Sequence, residues 1–332
     1  MTAMRKVKLG IIGTGLAARN LHLPALMNLK SKFKIIAVCN HTEKKAKDFA
    51  KLVGDVPYYL DYKELLERDD IEAVLITLPI ELNYKVCRDA MAAGKHVLLE
   101  KPLSANLREA KQLLALEKKY KTVKMVGENY RYRNIFLKAK KYIDEGKIGK
   151  VYSFNWNVFQ RVDTTKDYGA TLWRQQHQYP GGFLLDGGVH YVAAIRYLLG
   201  DFKFISPLTD SVDSRVGKLD TLMLQFISEK GIPGILNLFF SVQAHSEDRL
   251  LIFGDKGTIE ILSSVLLLKK EGKKDKVENL EDQLGFENEL NEFYKAVVKG
   301  QKVISSFKEA YGDMEVIINA VKAAKNKRKV NL

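Results

Sequence analysis

Three groups of side chains in this sequence have the types and spacing to do chemistry. Asp186 and His190 stand four residues apart in Asp186-Gly187-Gly188-Val189-His190, which places both on one face of a helix. A carboxylate beside an imidazole orients the ring and leaves it able to give or take a proton. A plain helix-surface ion pair has the same spacing. No third metal ligand accompanies the two, so no metal is expected. Gly187 and Gly188 each cost up to about 1 kcal/mol relative to alanine inside a helix, which implies that something approaches this backbone closely. The second group is Glu100-Lys101, set at the carboxyl end of the apolar run Val97-Leu98-Leu99, where open α/β sheets bind ligands. Pro102 keeps Lys101 out of the helical region and so extended at the sheet edge. The third is Gly13-Thr14-Gly15-Leu16-Ala17-Ala18, a G-x-G-x-x-A turn suited to a dinucleotide pyrophosphate.

These groups need a frame. Val7 to Ile12 is an apolar strand running straight into the glycine turn. Gly13 permits the tight turn, Gly15 lets the backbone approach a phosphate, and Ala18 allows close packing of helix on strand. Thr14, Leu16 and Ala17 complete the loop, whose amides open the next helix. A second strand, Lys34 to Cys39, ends in Asn40-His41-Thr42-Glu43-Lys44-Lys45. Asn40 stands where a carboxylate would hold the adenosine ribose hydroxyls of NAD. With Asn40 uncharged and His41 and Lys45 close by, the end of this strand favours NADP over NAD. Glu43 lies close enough to keep NAD in play, and a Thr42-capped helix with exposed lysines is the plainer alternative. Strands and helices then alternate through Ala73 to Thr77, Leu78-Pro79, Glu81 to Ala93, His96 to Leu99, Asn106 to Tyr120 and Lys124 to Val126. This is the signature of a doubly wound parallel sheet, a Rossmann domain over residues 1–127.

After Gly127 the pattern changes. Glu128 to Arg133, with Asn129 and Tyr130, is polar and aromatic at a strand end, fit for a polyhydroxylated substrate. A helix follows over Phe136 to Glu145. From Val151 the period becomes two, with Tyr152, Phe154, Trp156 and Val158 alternating with Ser153, Asn155 and Asn157. Further strands are expected over Asp220 to Ile227, Gly234 to Val242, Leu250 to Phe253 and Thr258 to Leu262. Residues 128–332 thus read as an α+β domain with an open, mostly antiparallel sheet, whose aromatic face covers the core helices or another subunit. The long stretch Arg161 to Gly182, holding Trp173-Arg174 and His177, reads as a functional loop.

Composition limits the classes of function. The chain has 332 residues, 46% of them hydrophobic, enough for two domains. Only Cys39 and Cys87 are present, so neither a disulfide framework nor a cysteine-rich metal site is expected, and a reducing cytoplasm is the default. No apolar run reaches a membrane span, and the start Met1 to Lys8 is short and basic. The formal charge of +14 is spread over lysine-rich helices and the tail Lys325 to Lys329, without an aromatic-interleaved basic groove. That points to a solvated surface and away from nucleic acid.

Taken together, the glycine loop, Glu100-Lys101-Pro102, Trp173-Arg174 and Asp186 to His190 resemble, in order and spacing, the Gfo/Idh/MocA oxidoreductase family. The resemblance runs on through Asn288 to Gly300 and Ala310 to Ala323, and Thr171 to His190 is similar to NADP-dependent members. It implies hydride transfer between NADP, or NAD, and a carbonyl or secondary alcohol of a sugar or polyol. It assigns Lys101, Asp186 and His190 to catalysis, with His190 as proton donor and acceptor, Asp186 as its orienting partner and Lys101 polarising the substrate oxygen or serving as a rival acid. Substrate contacts would come from Lys101, Tyr130, Trp173, Asp186 and His190. Cofactor contacts would come from Gly13, Thr14, Gly15, Leu16, Ala17, Asn40, His41, Lys45, Leu78, Pro79, Asn83, Glu100, Lys101, Asn129, Trp173 and Arg174. A departure from the family's T-P-N-x-x-H pattern puts Ile80 and Asn83 where Asn and His are usual. The resemblance also implies a homodimer or homotetramer formed through the C-terminal sheet. Alternatives are a sensor that binds nicotinamide dinucleotide without turnover, which would not need Lys101, Asp186 and His190 together, and a structural role with a vestigial pocket.

Overall fold

A computed structural model describes residues 5–281, 284–326 and 329–332. The first four residues of the basic start, and Lys327 and Arg328 of the basic tail, lie outside the described residues. The elements in chain order begin with β1 (Val7–Ile12), α1 (Leu23–Asn28), β2 (Phe33–Cys39), α2 (Glu43–Leu52), β3 (Tyr58–Tyr59), α3 (Tyr62–Leu66), β4 (Ala73–Ile76), α4 (Ile80–Ala92), β5 (His96–Glu100), α5 (Leu107–Glu117) and β6 (Lys124–Gly127). They continue with α6 (Asn134–Asp144), β7 (Val151–Phe159), α7 (Leu172–Gln175), α8 (Gly182–Asp186), α9 (Val189–Leu199), β8 (Phe202–Asp210), β9 (Thr221–Ser228), β10 (Pro233–Phe239), β11 (Glu247–Gly254), β12 (Gly257–Leu262), β13 (Val265–Lys269) and β14 (Lys276–Asn279). The chain ends with α10 (Phe286–Lys299), α11 (Phe307–Lys325) and β15 (Val330–Asn331).

Two compact units emerge, Met1–Asn129 with Gly285–Tyr311, and Tyr130–Leu284 with Gly312–Leu332. By contacts the units alternate along the chain, because α10 falls with the first. Its buried stripe Phe286, Leu290, Phe293 and Tyr294 needs a partner. It finds one on α1 and β1, with Tyr294 edge-on to Phe33 at 5.8 Å and its hydroxyl donating to the Arg5 carbonyl at 2.7 Å.

In the first unit six parallel strands lie in the order β3-β2-β1-β4-β5-β6. The order reverses between β1 and β4, so their carboxyl ends frame the crevice where doubly wound sheets take their ligand. The strands read as unbroken apolar runs because both faces are covered: Ala73, Val74, Leu75 and Ile76 are all fully buried.

The second unit holds a nine-stranded sheet in the order β14-β13-β12-β11-β7-β10-β9-β8-β15. Its neighbours are antiparallel except β7 and β10. Trp156 of β7 packs inward on Phe136 of α6 and Tyr191 of α9, with ring centroids 5.5 and 5.1 Å apart, so the aromatic face covers this unit's own helices. Tyr152 departs from the expected alternation and stands exposed. A register shift between Phe253 and Gly254 of β11, opposite the start of β7, takes it off the inner face. Large apolar side chains stand exposed on β8, β9 and β10 as Leu208, Met223, Ile227 and Ile235. No helix among the described residues is long and apolar enough to cross a membrane.

Candidate active site

The glycine turn in the first unit is built as its sequence requires. Gly13 has φ +96°, and a Cβ there would lie 2.4 Å from the Thr77 carbonyl oxygen, so only glycine fits between β1 and β4. Its amide donates to the Cys39 carbonyl at 2.9 Å, and the Thr77 hydroxyl donates to the Gly13 carbonyl at 2.5 Å. The turn is thereby tied to the ends of β2 and β4. At Gly15, by contrast, a Cβ would meet nothing within 4 Å. The backbone is bare where a pyrophosphate would approach, and Leu16 and Ala17 open the helix that follows. These residues fit a dinucleotide. Buried Thr14 spends its hydroxyl on the Lys45 carbonyl at 3.1 Å, which leaves its backbone to face a cofactor.

At the end of β2 the Asn40 carboxamide oxygen accepts from the Thr42 amide at 2.9 Å, an Asx turn that fixes the approach to α2. Thr42 holds the cap position without a side-chain cap bond, so the turn is Asn40's work. His41 and Lys45 are exposed beside it.

The end of β5 is clamped from within. Asn83 of α4 is fully buried, and its Nδ2 donates to the Glu100 carbonyl at 3.1 Å and the Pro102 carbonyl at 2.8 Å. Asn83 was expected among the cofactor contacts, but its amide donors go to the turn that carries Lys101. Pro102 is thus not the sole constraint on half-buried Lys101; the Lys101–Pro102 bond is cis. Glu100 Oε1 lies 2.5 Å from Nε2 of His22, a fully buried imidazole in the π-helical turn Ala18–His22. Leu78 and Pro79 are half-buried just past β4, and Asn129 is buried at the end of this part of the chain.

The sequence reading missed His22 and, more consequentially, Glu289. Glu289 is fully buried in α10 and both its carboxyl oxygens are without a hydrogen-bond partner among the described residues. Burial, then the nearby Glu100, Glu128 and Glu292 carboxylates, push its pKa well above the usual carboxylate range. The signal was present: Glu289 interrupts the apolar stripe Phe286, Leu290, Phe293.

The second unit gathers the other candidates. Asp186 is the last residue of α8 and His190 the second of α9. A Cβ on Gly188 would lie 2.4 Å from the Leu184 carbonyl oxygen, so what crowds that backbone is the chain itself rather than a ligand. Asp186 is buried, and its Oδ2 accepts from Arg174 Nε at 2.6 Å. Arg174 is further held by Thr171 Oγ1 at 3.1 Å and stacks 4.1 Å from the Trp173 ring. The loop thus brings Arg174, expected on the cofactor, onto the carboxylate of Asp186, expected on His190. His190 is half-exposed and lies flat on Tyr130, with ring centroids 4.8 Å apart and an interplanar angle of 19°. Arg131, in the same polar run as Tyr130, is interior and forked on Asp313 at 2.8 and 3.0 Å, so it serves the core. Nδ1 of His177 is 2.6 Å from the Arg174 carbonyl, and its ring fills the space left by Gly182 and Gly217. Among the described residues no group of three or more His, Cys, Asp or Glu side chains could hold a metal ion.

Residues 7–128 match the model of an oxidoreductase family with an NAD-binding Rossmann fold, and residues 140–332 match its C-terminal alpha/beta domain. The chain belongs to the Gfo/Idh/MocA oxidoreductase family. It is 34% identical over 317 residues to an uncharacterized protein of Saccharomyces cerevisiae, with 90% of each chain covered. The crystal structure of a Thermotoga maritima oxidoreductase superposes with a TM-score of 0.92 at 35% identity, covering 98% of both chains. A levoglucosan dehydrogenase of Pseudarthrobacter phenanthrenivorans is 32% identical over 214 residues, which are 61% of this chain and 54% of that one. The chain is accordingly an NAD(P)-dependent oxidoreductase of this family.

Proposed function

We propose that this protein transfers a hydride between NADP, in preference to NAD, and a secondary alcohol or carbonyl of a sugar or polyol. The observation that carries this reading is His190, a half-exposed imidazole held face-on by Tyr130 in the unit where Arg174 fixes the Asp186 carboxylate. The nicotinamide, when bound, supplies or accepts the hydride. The chain's own residues supply the proton and the position. His190 exchanges the proton of the substrate oxygen, and Lys101, held at the end of β5 by Asn83, polarises that oxygen. Asp186 keeps a negative charge near the imidazole and, locked by Arg174, sets where it stands, while Trp173 offers an aromatic wall to a sugar ring. The joint action of Lys101 with Asp186 and His190 rests on family membership and on the geometry within each unit.

The preference for NADP rests on the uncharged Asn40 turn with exposed His41 and Lys45, which leaves no carboxylate at that position to repel a 2′-phosphate. Asn40→Asp is expected to weaken NADPH binding at least about tenfold, the factor that 1.4 kcal/mol gives, and to spare NADH. Equal losses for both cofactors would reject the assignment.

The free, buried Cys39 and Cys87 suit a cytoplasmic protein. The exposed apolar residues of β8, β9 and β10 suit association of two or four copies through that sheet, which sedimentation would report. Cofactor fluorescence titrations, followed by a panel including levoglucosan and myo-inositol monitored by nicotinamide absorbance, test the main reading. Lys101→Met and His190→Asn, made separately, should each abolish most turnover. Near-wild-type rates in both would sink the assignment, and tight cofactor binding with no turnover on any substrate would mark a sensor.

A further inference from the structure

His190 does not present an isolated imidazole. Its ring lies against Tyr130 at 4.8 Å and nearly parallel, and the next residue, Tyr191, meets the same tyrosine edge-on at 5.4 Å. Tyr130 is itself packed: Phe136 stacks on it at 5.6 Å and the Arg133 guanidinium lies 5.3 Å from its centroid. Behind these rings stands Trp156 of β7, 5.5 Å from Phe136 and 5.1 Å from Tyr191, anchored by an Nε1 bond to Asp248 Oδ1 at 2.8 Å. The Tyr191 hydroxyl is buried and shares a side-chain hydrogen bond with Tyr130, and Gln160 Nε2 reaches it at 3.5 Å. The stack is therefore supported from the sheet outward, through two aromatic layers, to the face of one imidazole.

An imidazole free to spin about its outer torsion, broad for sp²-terminated side chains, loses time in unproductive orientations. A ring pressed flat against a fixed aromatic face keeps its plane. Holding a reacting group in its productive geometry is worth rate, and that geometry is lost when the supporting side chains are loose. We propose that Tyr130 is a positioning residue for His190, acting through the face of its ring, and not a substrate contact acting through its hydroxyl. This inference rests on the reading of His190 as the proton-exchanging group.

The test uses the full chain with levoglucosan as substrate probe and, independently of any substrate, the ring-proton resonances of His190, assigned by their loss in His190→Asn. Tyr130→Phe should keep the upfield ring-current shift of those resonances and retain more of kcat than a variant without an aromatic face. Tyr130→Leu should lose the shift and lower kcat about three- to tenfold with KM nearly constant, the range expected for losing one aromatic pair. Should the leucine variant fail to fold, Tyr130→Met retains bulk without a face and carries the same expectation. Equal damage from Phe and Leu, a change confined to KM, or an unshifted His190 resonance in the wild type overturns the inference. If His190→Asn turns over like the wild type, the acid–base reading falls and the positioning role falls with it. If His190→Asn is inactive and Tyr130→Leu is unimpaired, only the positioning role falls.

Discussion

Replacing Glu289 by glutamine should make the protein more stable, and increasingly so as the pH rises. The side chain is fully buried, its oxygens find no hydrogen-bond partner among the described residues, and the charges acting on it are the carboxylates of Glu100, Glu128 and Glu292. The folded protein therefore holds this carboxyl neutral well above 4.5, its ordinary value, whereas the unfolded chain ionises it there. Between those two points the native state binds one more proton than the unfolded chain, so stability is fully present below the unfolded value and drains away as pH rises. One proton corresponds to a slope of about 1.4 kcal/mol per pH unit, so over the pH range in which the folded protein keeps this carboxyl neutral the wild type loses stability from this position at up to that slope. Glutamine, of the same shape and without the titration, loses none of it. The comparison is made by urea unfolding at two pH values within that range, followed by far-UV circular dichroism because both tryptophans, Trp156 and Trp173, lie in the second unit. Glu117 also titrates upward through burial, so the quantity of interest is the difference between variant and wild type. If the two proteins show the same dependence on pH, Glu289 is ionised in the native state and the reasoning fails.

Two further outcomes follow from the first unit. Gly13→Ala should lower dinucleotide affinity by at least about tenfold, since its Cβ would sit 2.4 Å from a backbone carbonyl that cannot move aside; unchanged fluorescence titrations would refute the packing argument. Asn83→Leu removes both donors from the Glu100 and Pro102 carbonyls and should cost about 1–3 kcal/mol in thermal or chemical unfolding while lowering turnover through Lys101; a variant with wild-type turnover would show that Lys101 needs no such clamp.

What the sequence disclosed and what it hid divide along physical lines. The first sheet was legible because parallel strands buried on both faces write themselves as short apolar runs, and because Gly13 and Gly15 mark the turn without reference to anything distant. The strands β8, β13, β14 and β15 were not. Pro207 interrupts the alternation of β8, Val265 to Leu268 of β13 is a uniform apolar run, and β14 and β15 are short and polar. The amphipathic pattern of α10 announced a helix but could not say which unit would bury its stripe. Among the candidate residues the types were legible, and two of the pairings were not. Arg174 reaches Asp186 over 12 positions, and Tyr130 reaches His190 over 60. Neither pairing has a local cause; both follow from where the loop and the helices come to rest on the second sheet.

The membership of Gly285–Tyr311 in the first unit bears on how the protein is made. A ribosome that has released Asn129 has delivered every strand of the nucleotide-binding sheet but not the helix that covers α1 and β1. At ordinary synthesis rates of about 5–20 residues per second, roughly 10 to 35 seconds pass before Tyr311 follows. Over that interval the apolar faces of Leu26, Phe33 and their neighbours wait for a helix encoded after most of the second unit. A nascent chain of this design completes its first unit only once Tyr130–Leu284 has been made, and an amino-terminal fragment ending at the obvious strand boundary would lack the helix that closes it.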